Sequence, residues 1–241
     1  MNIALILSGG TGTRLGADIP KQYIEVGGKP IICYCVEQLL EHDRIDAVQI
    51  VADQSWQDLI SDWISDSNVI NKFKGFSLPG ENRQLSIFNG LENIRKYASD
   101  DDFVLIHDAA RPLISKKMIS SCVDAVAGYD GVLPVLPMKD TVYLSVDGKK
   151  VDSLIDRNQI HAGQAPEIFN FGKYFEANKQ LLPSEILKIN GSTEPAIMAG
   201  MNIALIPGDE RNFKITTKAD LERFREIIKK RDSRDESMGV T

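Results

Sequence analysis

Apolar positions along this chain fall into short runs that alternate with helical stripes. Ile3-Ala4-Leu5-Ile6-Leu7, Ala47 to Ala52, Phe103 to Ile106 and Val132 to Val135 are short and mostly apolar. Runs of that length, flanked by polar residues, read as strands buried on both faces. Between them, Ile31 to Leu40 carries a helical pattern, as do Trp56, Leu59, Ile60, Trp63 and Ile64. Leu85, Phe88, Leu91 and Ile94 repeat at the same spacing after Gly80-Glu81-Asn82-Arg83, and Met118 to Val126 forms a further stripe. Alternation at this pace predicts an α/β fold: a mostly parallel, doubly wound sheet with helices on both faces. Ligands of such sheets sit outside the carboxyl ends of the strands.

The rhythm breaks at residues 139–155. Thr141-Val142-Tyr143-Leu144 and Val151-Asp152-Ser153-Leu154 flank Asp147-Gly148, a strong hairpin signal. A hairpin projecting from a doubly wound sheet reads as an interaction arm. Residues 231–241 are polar and nonperiodic, so a disordered tail is expected there. Residues 1–230 then form one domain.

Composition narrows the possibilities. With 241 residues and a net charge of −6, the chain has enough length for a substantial core and too little positive charge for a general nucleic-acid or membrane-surface binder. Cys33, Cys35 and Cys122 have no metal-ligand spacing and read as core residues in a reducing cytoplasm. The first apolar run lacks the basic flank of a signal peptide. No stretch approaches the roughly 18 apolar residues of a membrane span.

The candidate chemistry starts where the first strand ends, in Ser8-Gly9-Gly10-Thr11-Gly12-Thr13-Arg14 and on to Lys21. Glycines without a Cβ let backbone N–H groups close around an anion. Arg14 and Lys21 add two fixed positive charges, so the loop suits the phosphates of a nucleoside triphosphate. It is not a Walker A motif, because Gln22 follows Lys21, nor a dinucleotide fingerprint, because Leu15 stands where a third glycine is needed. A second motif, Ile106-His107-Asp108-Ala109-Ala110-Arg111-Pro112, closes the third strand. Asp108 at a strand's carboxyl end is a natural Mg²⁺ ligand. Arg111 can anchor Asp108 or reach the ligand.

The first loop resembles that of the sugar-phosphate nucleotidyltransferases. Ile-Pro-Lys-Gln-Tyr at 19–23, Gly-Gly-Lys-Pro-Ile at 27–31 and His-Asp-Ala-Ala-Arg-Pro at 107–112 are similar to the cytidylyltransferase branch that acts on methylerythritol and ribitol phosphates. The resemblance extends over roughly residues 2–228. It implies a nucleotide site at Ser8, Gly9, Gly10, Thr11, Gly12, Gly80, Arg83 and Ser86. It also implies catalysis by Arg14, Lys21, Arg157 and Lys214, with Arg157 in an Asp-Arg-Asn motif and Lys214 on a strand over 212–216. Asp108, Arg111, Thr141, Ala165, Ser192 and Thr193 would meet the acceptor, and the arm would build a homodimer that completes the neighbouring site.

The reaction so implied is CTP plus a polyol phosphate giving a CDP-polyol and pyrophosphate, with Mg²⁺ near Asp108. Two segments depart from the methylerythritol pattern. Ala165-Pro166-Glu167 replaces Thr-Pro-Gln, preceded by Gly163-Gln164 as in the ribitol enzymes, and Ser192-Thr193-Glu194-Pro195 replaces Thr-Asp-Glu-Ala. The expected acceptor is 2-C-methyl-D-erythritol 4-phosphate, with ribitol 5-phosphate or glycerol phosphate as alternatives. A non-catalytic nucleotide-binding protein is the alternative of another class.

Overall fold

Asn2–Leu7 forms β1, and Ile3, Ala4, Leu5 and Ile6 have no exposed surface because helices cover both sides of the strand. The computed structural model describes residues 1–10, 19–65 and 68–238, with side chains described through 233. After β1 come a two-stranded ribbon, β2 (Glu25–Val26) and β3 (Lys29–Pro30), then α1 (Ile31–Leu40), β4 (Ala47–Val51) and α2 (Gln54–Ser65). Next are β5 (Phe73–Ser77), α3 (Arg83–Ile94), β6 (Phe103–Asp108), α4 (Lys116–Ala125) and β7 (Gly131–Pro137). A small hairpin of β8 (Val142–Leu144) and β9 (Ser153–Ile155) leads to β10 (His161–Gly163) and β11 (Glu167–Asn170). The chain ends with α5 (Phe171–Lys179), α6 (Glu194–Met198), β12 (Ile203–Pro207) and α7 (Lys218–Met238).

β5, β4, β1 and β6 pair in parallel. β11 inserts antiparallel between β6 and β7, and β12 returns parallel to β7 on the opposite edge. The result is an eight-stranded, mostly parallel sheet. One face is packed by Ile32, Val36, Leu39, Ile60, Ile64, Ile119 and Cys122 of α1, α2 and α4. The other face meets Ile87, Leu91, Phe171, Tyr174 and Phe175 of α3 and α5. Side-chain caps start several helices: Asn82 accepts from the Leu85 amide at 2.8 Å, and Ser115 and Asn170 do the same for α4 and α5.

Two expectations are corrected. Residues 231–238 continue α7 instead of forming a disordered tail, while residues 239–241 of that expected tail lie outside the described residues; no glycine or proline lies between Gly208 and Gly239, so none ends the helix earlier. Residues 212–216 form a loop between β12 and α7 and not a strand: the Ile215 amide donates to the Ala110 carbonyl at 2.8 Å, and side-chain bonds of Asn212 and Lys214, not a strand ladder, tie the segment to the body. The hairpin stands apart from the main sheet, as the sequence implies. Gly148 adopts a φ of +69° at its turn, a conformation glycine takes at no steric cost.

Candidate active site

β1 and β6 lie side by side with Leu7 paired to Asp108, so the two loops singled out from the sequence leave adjacent carboxyl ends. A cavity of about 460 Å³ opens there. Its described lining includes Gly9, Gly10, Lys21, Gly80, Arg83, Ser86, Asp108 and Lys214. Thr11, Gly12 and Arg14 fall outside the described residues.

The cavity wall is tightly built. A Cβ on Gly9 would strike the ring of Pro79, and one on Gly80 would come within 2.5 Å of the Leu85 side chain, so close packing requires glycine at both positions. Gln22 holds the glycine loop by donating to the carbonyls of Ser8 and Gly10, each at 2.7 Å. The Ser8 hydroxyl is buried and donates to the Tyr23 hydroxyl at 2.7 Å, which leaves the loop backbone to face the cavity. Ser86 accepts from the Gly80 amide at 3.0 Å and donates to the Asn82 carbonyl at 2.8 Å, fixing the turn before α3.

Asp108 is the electrostatic centre. Arg83 donates to its Oδ1 from Nε and Nη2 at 3.2 and 3.0 Å. Lys214 Nζ lies 2.9 Å from Oδ2, and Arg111 Nε lies 3.7 Å from the same oxygen. Burial alone would raise the Asp108 pKa, but Arg83, Lys214 and Arg111 outweigh it and hold the carboxyl well below the usual range. Three cations around one carboxylate leave an excess of positive charge, and the start of α3 adds its positive dipole end. On a chain of net charge −6 this is a local reversal suited to a polyphosphate.

That geometry does not fit Asp108 as a direct Mg²⁺ ligand. Both carboxylate oxygens already face cations, and a divalent ion there would be repelled by all three. Among the described residues, no group of three or more His, Cys, Asp or Glu converges on a metal position. Asp108 instead holds Arg83 and Lys214 in place.

Arg111 anchors more than it reaches. Its Nη1 donates to the Asn212 carbonyl at 2.7 Å, and Asn212 in turn donates to the Ala165 carbonyl at 2.7 Å. These bonds fix the loop that carries Lys214. His107 is fully buried against the Arg111 carbonyl, and burial pushes its pKa down to about 4, so it is neutral near pH 7.

The other expected acceptor residues are not on the cavity wall. Ala165 and Ser192 are buried, and Thr193 donates to Glu167 at 3.1 Å. Thr141 and Arg157 belong to the exposed arm, where Arg157 donates to the Lys139 carbonyl at 2.8 Å. Neither lines the cavity of the same chain. Sequence reasoning missed Gln22, Asn82 and Glu167 as contributors. Asn82 carries a legible signal, a helix-capping residue three before Leu85; the others depend on strand pairing and loop closure.

No helix among the described residues is long and apolar enough to cross a membrane. The family model of IspD, 2-C-methyl-D-erythritol 4-phosphate cytidylyltransferase, matches residues 2–230. A ribitol-5-phosphate cytidylyltransferase of Streptococcus agalactiae serotype V is 32% identical over 234 residues, covering 97% of this chain and 97% of that protein. A 2-C-methyl-D-erythritol 4-phosphate cytidylyltransferase of Clostridium beijerinckii is 33% identical over 224 residues, covering 90% of this chain and 94% of that protein. The crystal structure of 4-diphosphocytidyl-2C-methyl-D-erythritol synthase from Anaerococcus prevotii superposes with a TM-score of 0.80 at 23% identity, covering 95% of this chain and 98% of that one; it supports the fold. With its family model matched over nearly its whole length, this chain belongs to the IspD family of cytidylyltransferases.

Proposed function

We propose that this enzyme joins CTP to a polyol phosphate, forming a CDP-polyol and releasing pyrophosphate. The observation that carries the reading is the Asp108 cluster, which aims Arg83 and Lys214 into a cavity walled by a glycine loop and Lys21. An oxygen of the acceptor phosphate attacks the α-phosphorus, and the bond from that phosphorus to the bridging oxygen breaks as pyrophosphate leaves. A phosphate monoester is largely dianionic near neutral pH, so no general base is needed. Catalysis then rests on alignment and on neutralising the charge of the crowded transition state. Lys21 would meet the leaving pyrophosphate, and Lys214 the approaching acceptor.

The acceptor phosphate also needs Arg157, which a second copy of the chain would supply through its arm. Exposure of Tyr143, Leu144, Val146, Val151 and Leu154 on that arm supports a homodimer, since apolar side chains gathered on a projecting hairpin gain by burial. For the acceptor itself, the family model favours methylerythritol phosphate. Gly163-Gln164 before Ala165, together with the ribitol relatives, favours ribitol 5-phosphate as the second reading. Pyrophosphate release from CTP with each acceptor tests the proposal; release with either supports it, and release with neither, despite CTP binding, removes it.

A further inference from the structure

Lys214 lines the cavity, and its backbone is held from both sides. Ahead of it, Arg111 donates to the Asn212 carbonyl and Asn212 to the Ala165 carbonyl. Behind it, Ile215 is fully buried in one cluster with Leu221 and Phe224 of α7, and the Thr216 hydroxyl donates to the Lys214 carbonyl at 3.3 Å. Next, the Thr217 amide and hydroxyl each donate to Asp220 Oδ2 at 2.8 Å, while the Asp220 amide donates to the Thr217 hydroxyl oxygen at 3.2 Å. Reciprocal bonds of this kind cap the start of a helix. The same Asp220 oxygen takes one bond more, from the Thr216 amide at 3.0 Å. Thr216 precedes the helix, which starts at Lys218, so this bond serves the incoming loop and not the helix.

Burial pushes the Asp220 pKa up, but the bonds from Thr217 and Thr216 outweigh it and hold the carboxyl below the usual range, so it is an ionised acceptor near pH 7. A lysine carries its charge on a flexible four-carbon stem, and the reach of that charge depends on where the backbone is held. Here the Lys214 ammonium stands 2.9 Å from Asp108 Oδ2. We propose that Asp220 is a positioning residue: by drawing the Thr216 amide into the cap of α7, it fixes the backbone from which Lys214 meets the acceptor phosphate. The inference rests on the reading of the site as a polyol-phosphate cytidylyltransferase. Without that hold, the ammonium must be ordered as the acceptor binds, which costs affinity and alignment.

The test is Asp220→Ala, with steady-state pyrophosphate release measured against ribitol 5-phosphate and methylerythritol 4-phosphate, beside CTP titration calorimetry. The expected result is an acceptor kcat/KM about tenfold lower, with CTP affinity unchanged. Asp220→Asn keeps an acceptor oxygen in place and should restore most of the loss. The discriminating variant is K214A/D220A, which should be no slower than K214A, although the urea midpoint falls by the same amount in both backgrounds. A cap that only stabilised the helix would lower activity equally with or without the lysine. Wild-type acceptor kinetics in D220A, an equal loss of CTP affinity, no rescue by D220N, or a further tenfold loss in the double variant would each overturn the proposal. Where K214A turns over too slowly to compare, the rescue by D220N decides. If D220A does not fold, Thr216→Val, which removes the bond to the Lys214 carbonyl and leaves the cap, should lower acceptor kcat/KM in the same direction; wild-type kinetics there would overturn the proposal. Failure of the wild-type enzyme with both acceptors would instead overturn the reaction, and is read in the same assay.

Discussion

The phosphate cradle and the hairpin arm are built on opposite terms. In the cradle, Asp108, Arg83, Lys214 and Arg111 come from four separate positions in the chain and meet within a few ångströms at the end of a buried sheet. In the arm, β8 and β9 pair only with each other, and Leu154 and Val146 stand 67% and 85% exposed. The arm's side-chain bonds, such as Asp152 accepting from the Val146 amide at 2.7 Å, are mostly local. Its tie to the body is an ion pair at its base between Lys139 and Glu210, whose exposed partners contribute little. The cradle is complete for its charge balance in one chain, whereas the arm has apolar surface and an arginine but no site of its own. On the proposed function, the cradle takes CTP and the arm of a second copy completes the acceptor side.

Breaking the cradle at its centre should have the largest effect. Asp108→Asn leaves Arg83, Arg111 and Lys214 facing one another without a carboxylate. Breaking a buried pair costs about 3–5 kcal/mol, and the partial exposure of Lys214 discounts this to about 3 kcal/mol of stability. Turnover should fall with it by more than about a hundredfold. Denaturant unfolding beside the pyrophosphate assay checks both; a variant with unchanged unfolding would show that the cluster is not a structural centre.

Lys21→Ala should leave the fold intact and cut turnover roughly a hundredfold, about 3 kcal/mol in the barrier, with a smaller effect on CTP affinity. Near-normal turnover would remove Lys21 from the mechanism.

Acid should act on the cradle through His107. Its folded-state pKa of about 4 lies below the ordinary value of about 6.5, so its contribution is present above pH 6.5 and is lost as pH falls towards 4. The loss amounts to about 3 kcal/mol at most. Urea midpoints measured across that window should decline in the wild type and less steeply in His107→Gln; equal slopes would contradict the buried, neutral imidazole. Asp108 adds to acid sensitivity only below its ordinary value of about 4, where its ion pairs begin to be lost.

The arm should respond in the opposite way. Arg157→Lys should raise acceptor KM about tenfold, since an ammonium cannot grip a phosphate through two parallel bonds, while calorimetry shows CTP binding unchanged. Leu154→Asp should change the thermal midpoint hardly at all, yet abolish both a dimer in ultracentrifugation and acceptor turnover. A monomeric variant with full turnover would show that each chain works without a neighbour's arm.

Legibility in the sequence followed the same division. The stripe at Ile31 to Leu40 coincides with α1, and β1, β4, β6 and β7 lie where apolar runs indicated them, because buried parallel strands must be continuously apolar. β11 was not legible, since Glu-Ile-Phe-Asn is short and its place between β6 and β7 is fixed by pairing across the sheet. α7 was missed beyond residue 230 because an exposed helix and a disordered tail share a charged composition. At the site, glycines and cations were readable from spacing. That Asp108 faces cations on both oxygens could not be read, because Arg83 and Lys214 are brought to it by separate loops. Glu167 was hidden for a similar reason, as its partner Thr193 is 26 residues away.

The central claim is that the cradle holds CTP while a polyol phosphate attacks its α-phosphorus. Its most direct test is pyrophosphate release from the purified wild-type protein, with CTP, UTP and dTTP each offered against methylerythritol, ribitol and glycerol phosphates. Release should occur with CTP, strongly preferred over UTP and dTTP, and with one five-carbon polyol phosphate above the others. Preference for UTP or dTTP, or CTP binding without release from any acceptor, would contradict it.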